Sequence, residues 1–235
     1  MKVFVIGGHK NGTLSIHNWF VRRGLKSFHL GSMWKQINGK WDFIHVLVDK
    51  FPEFNCYSDH FAEYGFTNQI IELHNKYPEA KFILNYRPLN DYMNSLLKHL
   101  LNGNNFNSGW KWPSNFSQRI INTHKVNYFA VNYFKKKKIL NKLLVINLCN
   151  GENIKNTRIL EKFLSLSPNK NIILKKYTHN LLPIYHPYIQ KQFKIYQKEI
   201  KEEVKKIKEE LTDEKYLGFL KLLPENHELP NGKGV

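Results

Sequence analysis

Residues 7–15 read Gly7-Gly8-His9-Lys10-Asn11-Gly12-Thr13-Leu14-Ser15 and bring glycines, a lysine and two hydroxyls into one short stretch. Glycines let several backbone N–H groups turn toward one anion, and a lysine adds a full positive charge. Gly7 and Gly12 have the glycine, four residues, glycine spacing of a nucleotide-triphosphate loop. That loop continues with Lys and then Ser or Thr, whereas this chain has Thr13 and Leu14. Its lysine stands inside the turn, at Lys10. The displacement weakens a kinase or ATPase reading. A cradle carrying a lysine and hydroxyls still suits a phosphate or sulfate ester.

A second cluster lies at Arg87-Pro88-Leu89-Asn90-Asp91-Tyr92-Met93-Asn94-Ser95, with an arginine, an aspartate four positions on and a serine eight positions on. Trp110 and Trp112 sit in a polar Asn- and Gly-rich stretch and offer flat faces on which a sugar could stack. They serve equally well as loop anchors. His124 has no metal-ligand spacing to any other His or Cys, so a structural or neighbouring role is expected and no metal is implied. Cys56 and Cys149 are too few for a disulfide framework and read as buried free thiols.

These residues need elements to position them. Val3 to Ile6 is short, apolar and β-branched, which predicts a buried strand ahead of the glycines. Helical spacing then resumes from Thr13 and closes near Arg22-Arg23-Gly24. A strand, a glycine turn and a helix point a helix N-terminus at the loop. Ser27–Leu30 predicts a short second strand, and Cys56–Phe61 a strand end running into a loop. Residues 31–55 read as a helix plus irregular structure. Asn68–Tyr77 is amphipathic and stopped by Pro78. Ala80–Arg87 is the clearest interior strand, followed by a helix to about Leu101. A helix over Gln118–Lys137, a strand over Leu143–Leu148 and a short helix over Thr157–Leu164 follow. Strands alternating with helices predict an α/β, three-layer fold with a mostly parallel central sheet flanked by helices. In such sheets ligands sit beyond the carboxyl ends of the strands. The loops after Ile6, Cys56, Tyr86 and Leu148 should therefore converge.

From Ile189 to Leu211 apolar residues recur at intervals near the straight-helix period, predicting a long C-terminal amphipathic helix. Such a helix lies either against its own domain or against a partner, and a homodimer is the second of those arrangements. Glu and Lys on its other face read as solvated surface. The expected organisation is an α/β domain over residues 1–185, a helical extension over 186–222 and a loosely ordered tail over 223–235.

Residues 9–16, His9-Lys10-Asn11-Gly12-Thr13-Leu14-Ser15-Ile16, resemble the 5′-phosphosulfate loop of sulfotransferases, usually Pro-Lys-Ser/Thr-Gly-Thr-Thr, a small residue and Leu. The Arg87-to-Ser95 segment resembles the 3′-phosphate motif of the same family, Arg-Asn-Pro-x-Asp-x-x-x-Ser. Tyr77–Leu84, His124 with Tyr133-Phe134, and Leu144–Asn147 through Gly151-Glu152 fit a bacterial-type, sulfotransferase-like branch. The resemblance spans about residues 2 to 185. It implies a P-loop fold, 3′-phosphoadenosine 5′-phosphosulfate as donor, and in-line transfer of its sulfuryl group to an acceptor hydroxyl on a glycan or small molecule.

The same resemblance implies residue roles. Lys10 would contact the 5′-phosphate and the bridging oxygen. His9 and the backbone N–H groups of Asn11 to Leu14, with the Thr13 and Ser15 hydroxyls, would complete the cradle. Arg87 and Ser95 would hold the 3′-phosphate. Asp59, in Ser58-Asp59-His60, is the expected general base, with His60 the runner-up. Lys175, Lys176 and His179 fall near a basic loop of the family but match it poorly. Departures are His9 for proline, Leu14 for the second threonine, and the missing Asn-Pro order after Arg87. A backbone N–H survives at Leu14.

The whole chain sets the bounds. Its 235 residues suffice for a sizeable core, and the formal net charge of +17 calls for an anionic partner: nucleic acid, a membrane surface or a polyanionic small molecule; the resemblance implies an anionic nucleotide donor. Part of that charge follows from a Lys-, Asn- and Ile-rich composition. The alternatives are a P-loop nucleotide-dependent kinase and a non-catalytic polyanion or nucleic-acid binder, although the sequence has no recognisable nucleic-acid motif. No stretch approaches the length of a membrane span, and the residues before the glycines are needed as a strand rather than a secretory signal. The expected location is cytoplasmic.

Overall fold

The computed structural model of the chain describes residues 1–8, 10–29, 48–58, 67–101, 116–148, 150–175 and 187–224. Five strands form one sheet: β1 (Val3–Val5), β2 (Ser27–Phe28), β3 (Cys56–Ser58), β4 (Lys81–Tyr86) and β5 (Leu143–Asn147). Their order is β2-β3-β1-β4-β5, and each described pairing is parallel. The mostly parallel α/β arrangement expected from the sequence is thus fully parallel among these strands.

Strands covered on both faces must be apolar throughout rather than alternating. That is the pattern of Val3, Phe4, Val5 and Ile6, each at most 2% exposed. On one face Phe4, Tyr57, Phe82, Leu84 and Val145 pack with α2 (Asn68–Lys76) and α4 (Phe116–Lys136). On the other, Val5, Ile83 and Ile146 meet Ile16, Trp19 and Phe20 of α1 (Thr13–Arg22) and Leu160 of α5 (Asn153–Phe163). Each buried Phe, Ile or Leu contributes about 1.5–3 kcal/mol relative to exposure, so this double-sided core sets the sheet rigidly.

The chain order sets where a ligand can sit. From β1 it moves to the β2–β3 side, then crosses back to β4 and β5. Loops that leave β1 in opposite directions open a crevice at its carboxyl end. The turn after β1 carries Lys10, and α3 (Leu89–Leu101) follows β4 after Arg87-Pro88.

The C-terminal segment is where sequence and structure differ most. The single long helix is two helices, α6 (Pro187–Ile195) and α7 (Gln197–Glu210), separated by Tyr196 at φ −101°, ψ 14°. Phe193 and Tyr196 pack with Leu101 and Leu97, so the apolar stripe is covered by the chain's own α3. A short α8 (Asp213–Leu217) and a 3-10 turn (Gly218–Leu222) follow. Leu223, expected in a loose tail, is 9% exposed and belongs to the core under α4.

Glu203 of α7 also departs from the solvated face expected of it. It is buried, accepts hydrogen bonds from the Ser117 N–H (2.9 Å) and hydroxyl (2.6 Å), and pairs with Lys206 at 2.7 Å. Burial alone would disfavour its ionised form. The hydrogen bonds from Lys206 and Ser117 outweigh that and hold the carboxyl below its usual range. A carboxylate at the first turn of α4 also suits the helix dipole.

Candidate functional site

The turn between β1 and α1 has unusual backbone geometry. Lys10 adopts φ 65° and Gly12 φ 102°, the left-handed region that costs a side-chain-bearing residue of order 1–3 kcal/mol. Gly12 is also the residue that precedes α1, and no side chain caps that helix. No acidic residue lies in its first turn, so no carboxylate of that turn offsets its N–H groups. Asn11 is fully buried, and neither its amide nitrogen nor its amide oxygen has a hydrogen-bond partner. Thr13 and Ser15 are buried, while Gly12 and Leu14 are half-buried.

Lys10 is half-buried and forms no hydrogen bond or ion pair among the described residues. Burial lowers its pKa to about 8, assisted by repulsion from Arg87 and then Lys98. This electrostatic link joins the two sequence clusters, since Lys10 belongs to the loop after β1 and Arg87 to the end of β4. Lys98 was not foreseen. It stands three positions after Ser95 on α3, and residues at that spacing share a helix face. Tyr92, three positions before Ser95, continues the same stripe. Tyr92 itself stands against the loop, because a Cβ on Gly8 would lie 3.2 Å from its hydroxyl and 3.0 Å from Thr123 Oγ1 of α4.

Behind the loop, a group of aromatic and basic residues gathers. Tyr92 Oη and Thr123 Oγ1 are 3.1 Å apart and hydrogen-bonded. Burial pushes both Tyr92 and Tyr216 far above the usual phenol range, and the Arg87 guanidinium pulls back on each. Arg119 of α4 acts on Tyr92 in the same sense. His124 is held near Tyr216, donating from Nδ1 to its backbone oxygen at 3.3 Å, and burial lowers its pKa. It is a structural neighbour of the site, as the sequence reading allowed.

On the β2 side, the Thr13 hydroxyl lies 3.5 Å from His29 Nε2, and His17 Nδ1 lies 2.9 Å from Ser27 Oγ. The two imidazole rings are 5.3 Å apart. Burial lowers the His17 pKa to about 4, which keeps that ring neutral near pH 7. Nothing in the local sequence around His29 marks this proximity, which arises only when β2 aligns beside β3.

Of the residues singled out from sequence, Lys10, Asn11, Gly12, Thr13, Leu14 and Ser15 form one turn, and Arg87 reaches it electrostatically. Ser95 is half-buried on the Tyr92–Lys98 stripe of α3. His9, Asp59, His60, Trp110, Trp112, Cys149, Lys176 and His179 lie outside the described residues. Cys56 is a buried free thiol whose pKa rises to about 12, which leaves it unreactive. Among the described residues no group of His, Cys, Asp and Glu could hold a metal ion, and no helix is long and apolar enough to cross a membrane.

The arrangement gathers Lys10, Arg87 and Lys98 about the uncapped start of α1, and its chemistry favours a ligand with more than one anionic group. A family model described as a sulfotransferase domain matches residues 2–143, more than half of the chain. A comparison with curated proteins found no match.

Proposed function

The chain belongs to the sulfotransferase domain family, and on that premise we propose that it transfers a sulfuryl group from 3′-phosphoadenosine 5′-phosphosulfate to a hydroxyl of a glycan or small-molecule acceptor. The observation that carries this reading is the packing of Gly7, in the turn that carries Lys10, against Asn85, two positions before Arg87. A donor with a 5′-phosphosulfate and a separate 3′-phosphate needs two cationic stations, and ATP lacks the group that would fill the second. The fit is supported by the unpartnered Lys10 ammonium, the uncapped start of α1 and the buried, unpartnered amide of Asn11.

The bound donor supplies an activated sulfuryl group whose leaving group is a phosphate. Lys10 neutralises charge on the oxygen that bridges the two, which grows as transfer proceeds. Backbone N–H groups of Asn11 to Leu14 hold the 5′-phosphate, with His9 and the hydroxyls of Thr13 and Ser15 around it. Arg87 and Ser95 hold the 3′-phosphate. Asp59 removes the acceptor proton, with His60 as the alternative base, and Trp110 and Trp112 stack on the acceptor.

The test is a thermal-shift comparison of adenosine 3′,5′-bisphosphate with ATP on the wild type and on Arg87→Ala. The bisphosphate should protect the wild type much more than ATP does, and Arg87→Ala should erase that preference. Equal protection by both nucleotides in both proteins would remove the donor assignment.

A further inference from the structure

Tyr216 lies beyond the segment that the family model matches, yet it is fixed beside the site described above. The α8 helix that carries it is defined locally, with Thr212 Oγ1 accepting from the Lys215 N–H at 3.1 Å. Two contacts then dock it. Asn90 Nδ2, at the start of α3, donates to Asp213 Oδ2 at 3.0 Å, and His124 of α4 donates to the Tyr216 carbonyl at 3.3 Å. The Tyr216 ring packs among Leu89, Tyr92, Ile120, Ile207 and Leu211, with its centroid 6.4 Å from that of Tyr92.

This docking buries Tyr216 completely and leaves its hydroxyl without any hydrogen-bond partner. An unsatisfied buried hydroxyl is destabilising, and phenylalanine would fill the same space without that cost. Tyr92, its neighbour, shows the contrast, because its hydroxyl is paired with Thr123. Tyr216 packs on Leu89, two positions after Arg87, and on Tyr92, whose hydroxyl lies 3.2 Å from where a Cβ on Gly8 would stand. Among the described residues, then, a polar atom is buried without a partner behind the turn that carries Lys10.

We propose that the Tyr216 hydroxyl donates a hydrogen bond to the anion held at Arg87, so that the C-terminal helices form one wall of the ligand site. The identity of that anion as the donor's 3′-phosphate rests on the function proposed above, whereas the role of Tyr216 toward an anion does not. The C-terminal segment is then part of the binding machinery rather than an appendage to it.

Titration calorimetry with adenosine 3′,5′-bisphosphate and, separately, with inorganic sulfate tests this on the wild type and on Tyr216→Phe. The variant should bind the bisphosphate about ten-fold more weakly, a difference of about 1.4 kcal/mol. Its ligand-free melting temperature should equal or exceed that of the wild type. Unchanged affinity for both probes overturns the proposal. If the wild type ignores the bisphosphate but binds sulfate, the donor assignment falls, and a weaker sulfate affinity in Tyr216→Phe still upholds the role of Tyr216. Binding of neither probe overturns both. Hydrogen exchange on the unmodified protein gives an independent reading. Whichever probe binds must slow exchange across Asp213–Leu217 as well as across residues 10–15, and protection confined to the loop overturns the proposal.

Discussion

Gly7 rests directly on Asn85: a Cβ at position 7 would stand 2.1 Å from the Asn85 side-chain oxygen and 2.2 Å from its backbone oxygen. The turn that carries Lys10 is therefore pressed against the strand end that carries Arg87. Gly7→Ala must push β1 and β4 apart or displace the loop, at a cost of about 1–3 kcal/mol or more. Urea unfolding should show that loss, and bisphosphate binding should weaken with it. An alanine variant of wild-type stability would mean that the contact relaxes freely.

Lys10 predicts a pH dependence. With its pKa lowered to about 8, it loses its proton in the free protein as pH rises through that value. An arriving anion favours the charged form, so affinity for adenosine 3′,5′-bisphosphate should be full below about pH 7 and fall above pH 8. Stability of the ligand-free protein has the opposite sign, because the unfolded chain retains that proton up to the ordinary lysine range and folding is favoured as pH rises between the two values. Calorimetric titrations across the range check the first statement, and Lys10→Met should flatten both profiles.

Lys98 supplies a coupled test. Removing this like charge in Lys98→Ala should move the midpoint of the affinity profile to higher pH, toward the ordinary lysine value, while lowering affinity several-fold at neutral pH. An unmoved midpoint would mean that Lys98 acts on neither Lys10 nor the ligand.

For Glu203, the expected effect is on folding. Glu203→Gln keeps the shape but removes the charge that accepts from Ser117 and Lys206. The loss should be about 1–3 kcal/mol at neutral pH. Because the native carboxyl is held below its usual range, its contribution is present above the unfolded value and disappears as pH falls through the folded one. The gap between wild type and variant should therefore close in acid.

The proposed base gives a kinetic prediction. Asp59→Asn should abolish sulfuryl transfer and leave bisphosphate affinity near that of the wild type. Retained turnover would pass the role to His60.

How far the sequence alone could be read depended on the range of the interactions. β1, β4 and β5 were legible because double-sided burial demands uninterrupted apolar residues, and α1 and α3 because glycine or proline marks their starts. Lys98 was within reach, since it lies one helical turn beyond Ser95. Tyr216, Arg119 and His29 were not, because each reaches the site through an element packed from a distant part of the chain. The break at Tyr196 escaped notice for a related reason: apolar spacing runs through it unchanged, and the interruption shows only in the backbone angles.

The position of Tyr216 has a temporal consequence. Lys10 is synthesised some two hundred residues before Tyr216, so the sheet and the turn that carries Lys10 can form before α8 is made. During that interval Arg87 and Lys98 act on Lys10 before α8 has docked. On the role proposed for Tyr216, a nascent chain would gain its full affinity for an anion only when α8 docks on Asn90 and His124.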